Sequence, residues 1–308
     1  MSASCAFHLG ITFDQNYLDQ FYALTTSIFV SNPNKPIAIH AIATGIQPAD
    51  KAKIEEHVQA HNSTISFYQI DESLISQFVL GSKWTVAVYY RLFFAFLVPE
   101  SVEYLLYIDS DTLVVGDLSL FTQIDLGTCP VAAVYDNWVK TQPLLGITEE
   151  GQYFNSGVLY MHMKEWRRQR ISEQALQYLQ QYPERIKYVD QCALNAVLRN
   201  NWKKVDSRFN TLHSYIPEML PRQEFETYLA DKVILHFTLH RPWAMLCQNR
   251  FRYLYHRYLQ QSPSNRKELY TDFALNKVPS LLRIRLRELY IDNPALGRQW
   301  RRLKAKLR

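Results

Sequence analysis

The chain has 308 residues, of which 47% are hydrophobic and 20% are charged, and this usage is typical of a globular protein and excludes disorder as its main state. The formal net charge of +5 is uneven, because nine basic and two acidic residues lie between Ser280 and Arg308, whereas acidic residues slightly outnumber basic ones elsewhere. We therefore expect no nucleic-acid partner for the fold as a whole. The length predicts either two domains or one large α/β domain with an appendage.

The cysteines and the apolar runs indicate in which cellular compartment the protein is expected. The four cysteines lie far apart and include no C-x-x-C pair, so they predict neither a zinc site nor a disulfide framework, and we expect a reducing compartment. The first basic residue is Lys35, so the start of the chain lacks the basic stretch of a secretory signal. The apolar run Leu92–Val98 is far shorter than the roughly 20 residues that span a bilayer. We expect a cytoplasmic protein, either soluble or peripheral on the inner face of the plasma membrane.

The first 70 residues alternate between apolar runs of strand length and segments of helical periodicity. The predicted strands are Ala6–Thr12, Pro36–Ala43 and Ile65–Ile70, and the predicted helices between them are Tyr17–Phe29 and Ala49–His61. This βαβ alternation predicts a parallel sheet with helices on its faces. Ligands of such sheets bind beyond the carboxyl ends of the strands.

The later elements follow less regularly. A helix is predicted for Thr85–Val98, although Arg91 interrupts its apolar pattern. The other predicted elements are the strands Tyr104–Ile108, Thr112–Val115, Val131–Val134, Gly157–Met161 and Val233–Leu235 and the helices Glu173–Gln180 and Gln191–Arg199. From about Ala244 the composition shifts to Arg, Tyr, Gln and Leu, which indicates a helical appendage.

Two aspartates follow the apolar run LLYI. Asp109 and Asp111 are separated by one residue, and alternate side chains of a strand share a face, so both carboxylates project toward the same mouth. Such a pair suits Mn²⁺ or Mg²⁺, which proteins often hold with one or two carboxylates plus substrate phosphates. The alternative is a solvated turn, and the D-x-D motif alone does not decide between the two.

Five blocks, in order along the chain, carry a resemblance to a known family. The blocks are YLLYIDSDTLVVGDLSLF, FNSGVLYMHMKEWRR, VDQCALNAVL, SRFN and HFTLHRPW, and the earlier ITFDQNYLDQ fits the same pattern. Over residues 6–243 they resemble glycosyltransferase family eight, whose bacterial members include the galactosyl- and glucosyltransferases that build the lipopolysaccharide outer core. The resemblance implies a GT-A type α/β fold, with a nucleotide-binding, mixed and mainly parallel sheet flanked by helices. We predict a catalytic domain at residues 1–243 and a basic helical region at 244–308.

The resemblance also implies a reaction and its metal site. It implies transfer of galactose or glucose, with retention, from a UDP-sugar to a glycan or glycolipid acceptor, assisted by Mn²⁺ or Mg²⁺. Asp109, Asp111 and His236 match the metal ligands, and Asp109 also matches a contact with the ribose or the donor sugar. Taken alone, His236 would be more typical of a core histidine at the end of a strand.

Other matched residues surround the donor. Asp14, Asn16 and Tyr17 match the uridine-binding end of the first strand, although spacing alone favours an Asx turn that caps the following helix. Asn155 and Ser156 match contacts with the donor sugar, and Gly157 permits close backbone approach.

Arg91, Asp190, Gln191 and Arg241 complete the predicted site. Arg91 either neutralises an internal acid or faces the donor, and the resemblance favours the second role. Asp190 and Gln191 match the pair beside the anomeric carbon, and because an amide is a poor nucleophile, a front-face mechanism is favoured over double displacement. Arg241 takes the place of the family's lysine near the diphosphate, with a different geometry.

Two departures from the family pattern leave alternatives open. Leu239 stands where the family commonly has glycine, and Cys192 stands where it often has a third acid. These changes favour, as an alternative, a sugar-nucleotide or carbohydrate-binding protein without turnover, and a metal-dependent phosphohydrolase ranks last. In the basic tail, Trp300, Leu303 and Leu307 recur at helical spacing, which predicts either docking on an anionic membrane or a solvated terminus.

Overall fold

The structure is a computed structural model that describes residues 6–71, 73, 78, 86–266 and 268–296. The strands of this part of the chain are β1 (Phe7–Asp14), β2 (Ile37–Thr44), β3 (Thr64–Tyr68), β4 (Tyr104–Asp109), β5 (Thr112–Val114), β6 (Val131–Val134), β7 (Val158–His162), β8 (Lys203–Val205), β9 (Thr211–Leu212) and β10 (Ile234–His236). The α-helices are α1 (Leu18–Ser31), α2 (Pro48–Gln59), α3 (Phe94–Leu97), α4 (Met163–Arg168), α5 (Ile171–Gln181), α6 (Val189–Val197), α7 (Phe225–Leu229), α8 (Arg252–Gln260) and α9 (Val278–Asp292).

The strands form two sheets. The larger has the order β3-β2-β1-β4-β7-β6-β8, and all of its neighbouring pairs are parallel except those of β7 with β4 and with β6. The smaller has the order β5-β10-β9, with β10 antiparallel to β5 and parallel to β9. The mixed, mainly parallel sheet predicted from the βαβ alternation is therefore confirmed.

The side chains of the central strands point to both faces of the large sheet, and each face is covered by its own layer of the hydrophobic core. Leu9 and Ile11 of β1 pack in one layer with Phe21 and Leu24 of α1. Tyr107 of β4 packs in the other layer, among the side chains of α4, α5 and α6. Because both faces of the large sheet are covered, its central strands are continuous apolar runs rather than alternating ones.

The segment predicted as one helix over Thr85–Val98 differs in the structure. Its described residues form a 3-10 helix over Val86–Phe93, followed by the single turn α3. Valine and tyrosine are moderate α-helix formers, and Tyr89, Tyr90 and Arg91 are all buried, so tertiary packing rather than helical periodicity decides this segment. The predicted strand over Thr112–Val115 forms, but as β5 of the smaller sheet.

The chain after residue 243 contributes to the main core. Leu254, Tyr255, Tyr258 and Leu259 of α8 belong to the same buried cluster as α1. The domain boundary at 243/244 stays a prediction, and the tail containing Trp300 lies outside the described residues. No helix in the described ranges combines the length and apolar character needed to cross a bilayer.

Candidate active site

The strand ends that carry the D-x-D motif and the predicted third ligand meet at one edge of the sheets. Asp109 ends β4 and is in register with Thr12 of the parallel strand β1. His236 ends β10 and is in register with Thr112, which begins the antiparallel strand β5. The short turn between β4 and β5 therefore holds Asp111 beside His236.

Asp109, Asp111 and His236 form a cluster that suits a divalent cation. Their ligand atoms all lie within 4.8 Å of one another, and Oδ1 of Asp111 lies 3.2 Å from Nε2 of His236. Two carboxylates and one imidazole are a donor set that Mn²⁺ accepts. Elsewhere in the described chain, no three acidic, histidine or cysteine side chains approach one another in this way. The structure brings the three predicted ligands together, and their binding of a metal stays a prediction.

The ring of His236 is oriented by a second contact. Its Nδ1 lies 3.0 Å from Oδ1 of Asn210, so we assign the proton to Nδ1, which leaves Nε2 directed at Asp111. Burial lowers the pKa of His236, but Asp111 outweighs that effect and raises it overall. Burial conversely raises the pKa of Asp111, and His236 outweighs it and lowers the pKa overall. A metal-bound histidine is ordered through its second nitrogen in the same manner.

Gly157 has no side chain and therefore leaves space between the predicted ligands His236 and Asp109. A Cβ at this position would lie 2.3 Å from Cε1 of His236 and 2.6 Å from Oδ2 of Asp109. Any larger residue would therefore displace one of the two predicted ligands. The close backbone approach predicted for Gly157 beside the donor sugar stays a prediction.

Arg91 forms ion pairs with the buried Asp190 and the partly buried Asp109. Its guanidinium lies 2.9 Å from Oδ1 of Asp109 and 3.1 Å from Oδ2 of Asp190, and it donates to the carbonyl oxygen of Ser156 at 2.6 Å. Burial lowers the pKa of Arg91, but the two acids raise it overall. Of the two roles considered for Arg91, neutralising internal acids is the one these contacts establish. Its proximity to a donor stays a prediction.

Asp190 is a buried acid in the first turn of α6. Burial raises the pKa of Asp190 to about 6, although Arg91 opposes this effect. The hydroxyl of Ser156 donates to Oδ2 of Asp190 at 2.9 Å. This hydrogen bond joins two residues that were both predicted to lie beside the donor sugar. Ser156 thus faces the acid rather than open solvent.

The amides of Asn155 and Gln191 are joined through an acid that sequence reasoning missed. Oδ2 of Asp136 accepts hydrogen bonds from Nδ2 of Asn155 and Nε2 of Gln191, both at 3.2 Å. Oε1 of Gln191 in turn accepts from Nδ2 of Asn155 at 3.2 Å and from the backbone N–H of Ser156 at 3.0 Å. The available signal for Asp136 was its position just after the apolar strand β6, at the same edge as the D-x-D motif.

The predicted uridine-binding residues lie at the end of β1. Oδ1 of Asp14 accepts from the backbone N–H of Asn16 at 2.8 Å, so the Asx turn expected from spacing is present. The ring of Tyr17 meets Trp243 edge-on, with ring centroids 5.9 Å apart. Burial raises the pKa of the Tyr17 hydroxyl, and the opposing effect of Arg241 places that charge close to the ring. The predicted uridine-binding residues and Arg241 therefore lie on the same side of the site.

Leu239 adopts the backbone conformation that glycine favours. Its φ is +63°, in the left-handed region, and its side chain is 79% exposed. For a residue other than glycine this conformation costs roughly 1–2 kcal/mol. The replacement therefore keeps the backbone path and adds a side chain that points to solvent.

Cys192 has a packing role instead of the family's third acid. It is fully buried in a small cluster with Val139, Leu145, Ile147 and Tyr153. Its Sγ accepts a hydrogen bond from the backbone N–H of Tyr188 at 3.2 Å. Cys192 thus packs α6 against the loop that follows Asp136.

The fold and the site define an α/β protein with a cluster of two acids and a histidine at the carboxyl edge of a mixed sheet. The family model described as Glycosyl transferase family 8 matches residues 8–247. The chain therefore belongs to glycosyltransferase family eight, as its motifs predicted, and the predicted GT-A type fold is confirmed.

Curated relatives match most of the chain. General stress protein A of Bacillus subtilis is 28% identical over 271 residues, which cover 84% of this chain and 94% of the relative. A lipopolysaccharide 1,2-glucosyltransferase of Escherichia coli K12 is 27% identical, over 75% of this chain and 70% of the relative. A lipopolysaccharide 1,3-galactosyltransferase of Salmonella typhimurium is 26% identical, over 77% and 73% respectively.

Solved structures share the fold. The galactosyltransferase LgtC, in a crystal structure with donor and acceptor sugar analogs, matches with a TM-score of 0.74 and 23% identity, over 85% of this chain and 98% of LgtC. The bifunctional glycosyltransferase WbbM matches with a TM-score of 0.67 and 19% identity, over 94% of this chain and 53% of WbbM. At these identities the likeness concerns the fold alone.

Proposed function

We propose that this protein is a retaining hexosyltransferase that moves galactose or glucose from a UDP-sugar to a glycan or glycolipid acceptor with the help of Mn²⁺ or Mg²⁺. The observation that carries the proposal is the cluster of Asp109, Asp111 and His236. It lies next to the network of Arg91, Asp190 and Gln191, to which Asp109 belongs through its ion pair with Arg91. Lipopolysaccharide transferases among the relatives favour such an acceptor.

Asp109, Asp111 and His236 would hold the cation, which when bound supplies positive charge against the pyrophosphate of the donor. Asp14, Asn16 and Tyr17 would bind the uridine, and Arg241, which is exposed beside Tyr17, would contact the diphosphate. Asp190 would accept hydrogen bonds from the hydroxyls of the donor sugar. Arg91 pairs with both Asp109 and Asp190, and its positive charge opposes the rise in their pKa values that burial causes.

The contacts of Gln191 favour a front-face reaction. Its Oε1 already accepts two hydrogen bonds, from Asn155 and Ser156, which draws electron density from an amide that is a weak nucleophile in any case. With no covalent intermediate on Gln191, the acceptor hydroxyl would attack on the face that the diphosphate leaves. Its proton would then pass to an oxygen of the departing phosphate.

The alternative of a binding protein without turnover was based on Leu239 and Cys192, and the surroundings of these two residues do not favour it. Leu239 keeps a positive φ and directs its side chain to solvent. Cys192 is buried in a packing cluster. Neither change therefore removes a ligand of the candidate cation site.

A donor panel tests the proposed function. UDP-galactose, UDP-glucose and, as a control donor, GDP-mannose are incubated with the protein and Mn²⁺, and the released nucleotide is measured. We expect UDP release from galactose or glucose donors, abolished by a chelator, with no nucleotide release from GDP-mannose. Tight UDP binding without release from any UDP-sugar would instead support the non-catalytic binding protein.

We also propose peripheral binding to the inner face of the plasma membrane. Seven of the thirteen exposed large hydrophobic residues in the described ranges lie between residues 269 and 296. Leu282, Leu286 and Leu289 of α9 are 57%, 50% and 46% exposed and recur at helical spacing on one side of the helix. Exposed Arg283 and Arg287 lie directly beside them, and basic residues beside an apolar stripe favour an anionic lipid surface.

Vesicle sedimentation tests this membrane face. Changing Leu282, Leu286 and Leu289 to Gln should abolish sedimentation with vesicles of phosphatidylglycerol and phosphatidylcholine. The matched control changes Val30, Phe96 and Leu144 to Gln, which are exposed apolar residues outside the C-terminal segment, and should sediment like the wild type. A wild-type dimer that the α9 variant converts to a monomer, without vesicle binding, would assign the face to a second copy of the chain.

A further inference from the structure

The hydroxyl of Tyr107 contacts one particular oxygen of Asp109. Tyr107 lies on β4 two residues before Asp109, so both side chains project from the same face of the strand, and Tyr107 is fully buried. Its hydroxyl donates to Oδ1 of Asp109 at 2.5 Å. The hydroxyl of Thr12 lies 3.1 Å from the phenolic oxygen, and because the phenol already donates to Asp109, Thr12 is the donor in this second hydrogen bond.

The two oxygens of Asp109 therefore differ. Oδ1 receives the Tyr107 hydroxyl and the closer guanidinium contact of Arg91, at 2.9 Å, whereas among the described residues Oδ2 has only a longer polar contact, with Arg91 at 3.4 Å. Oδ2 also borders the room that Gly157 leaves open, on whose other side lies His236. A cation shared with Asp111 and His236 would thus meet a single oxygen of Asp109.

We propose that Tyr107 is a positioning residue that restricts Asp109 to one coordinating oxygen and thereby makes the site select Mn²⁺ and Mg²⁺ over Ca²⁺. This inference rests on the cation site of the proposed function. Mg²⁺ requires near-octahedral geometry with few protein oxygens, whereas Ca²⁺ accepts more oxygen ligands and readily takes both oxygens of a carboxylate. Without the Tyr107 hydroxyl, Oδ1 keeps only its contact with Arg91, and the carboxylate is free to turn both oxygens toward a larger cation.

Direct metal titration tests the proposal without reference to turnover. Affinities of the full chain for Mn²⁺, Mg²⁺ and Ca²⁺ are measured by calorimetry, alone and with UDP. For Tyr107→Phe we expect Mn²⁺ and Mg²⁺ to bind about 10-fold to 100-fold more weakly, the usual effect of losing a group that orients a metal ligand. Ca²⁺ affinity should stay unchanged or increase, so the preference for Mn²⁺ over Ca²⁺ falls by at least the same factor.

Tyr22→Phe is the matched control. Tyr22 is also a buried tyrosine, but its hydroxyl has no hydrogen-bond partner in the described structure, so its removal should leave all three affinities unchanged. Thr12→Val removes the hydroxyl that supports Tyr107 and should shift the preference in the same direction by a smaller factor. This variant keeps the test available if Tyr107→Phe does not fold.

The outcomes separate this inference from the function it rests on. Weakening of all three cations in parallel by Tyr107→Phe would assign Tyr107 a merely structural role and overturn the inference. An unchanged Mn²⁺ to Ca²⁺ preference would overturn it as well, with the cation site intact. Failure of the wild-type chain to bind any of the three cations, with or without UDP, would overturn the proposed metal dependence together with the inference.

Discussion

Arg91 and Asp190 form a buried ion pair in which Nε of the guanidinium lies 3.1 Å from Oδ2 of the carboxylate. The same guanidinium pairs with the partly buried Asp109, so one cation compensates two acids of the site. A buried charge without its partner is strongly unfavourable, because the protein interior solvates it poorly. The integrity of the site and the stability of the fold are therefore coupled through Arg91.

Arg91→Met should destabilise the protein severely. It leaves the carboxylates of Asp109 and Asp190 uncompensated, and we expect the free energy of unfolding in urea to fall by about 3–5 kcal/mol. The control is Arg170→Met, since Arg170 is 72% exposed in its pair with Glu173 and should change stability by less than about 0.5 kcal/mol. Equal stability of the two variants would show that the pairs of Arg91 do not hold the core together.

Asp111→Ala should remove most of the turnover. Loss of one group that stabilises transition-state charge typically costs about 100-fold to 1000-fold in rate, and Asp111 is expected to exceed the lower figure because it is also a predicted metal ligand. UDP release at saturating Mn²⁺ measures the effect. Asp231→Ala is the control, since Asp231 is 64% exposed and pairs with neighbouring Lys232. Turnover near the wild-type level in Asp111→Ala would rule out the proposed role of the D-x-D motif.

Gly157→Ala should impair metal binding specifically. The added methyl group would lie 2.3 Å from Cε1 of His236 and 2.6 Å from Oδ2 of Asp109, so at least one ligand must move. We expect weaker Mn²⁺ affinity by calorimetry. Gly127→Ala meets no atom within 4 Å, and its φ of +52° predicts a stability loss of about 1 kcal/mol with unchanged metal affinity. Wild-type affinity in Gly157→Ala would mean that the ligands do not hold the positions described.

Acidification should lower the stability of the fold. Burial, assisted by neighbouring histidines, lowers the pKa of His40, His57 and His213 from an ordinary value near 6.5 to about 4. The unfolded chain therefore binds more protons than the folded one between these values, and the stability present above pH 6.5 is lost as the pH falls toward 4. Each histidine contributes up to about 1.4 kcal/mol per pH unit in this window.

Asp190 opposes this trend, but only partly. Its pKa is raised to about 6, so the folded state holds its proton more tightly than the unfolded state and gains stability as the pH falls below 6. Asp109 and His236, whose pKa values are also raised, act in the same direction as Asp190, whereas burial lowers the pKa of three further histidines, His8, His240 and His256. Because the histidines with a lowered pKa outnumber the groups with a raised one, we expect the melting temperature to fall from pH 7 to pH 5. His57→Gln should flatten the decline. A melting temperature that rises over this range would contradict the assignment of neutral buried histidines.

Residues near one another in the sequence determined much of the outcome. The apolar runs that form β1 and β4 are long enough to specify strands, and the D-x-D motif lies at the end of β4. The position of the carboxylates of Asp109 and Asp111 at this end of the strand could therefore be predicted from the sequence. The family resemblance added His236, which the fold brings to the same cluster. Local periodicity and motif order suffice here, because strand formation and strand-end position depend on short stretches of chain.

The tertiary structure alone decided which side chains contact the predicted site residues. Asp136 joins Asn155 to Gln191, and Tyr107 contacts a single oxygen of Asp109, yet neither stands out in the sequence. The two pairs of Arg91 depend on groups 18 and 99 positions away. A buried hydrogen bond or ion pair requires its partners to be packed at fixed distances, and only the folding of distant strands and helices against one another establishes those distances.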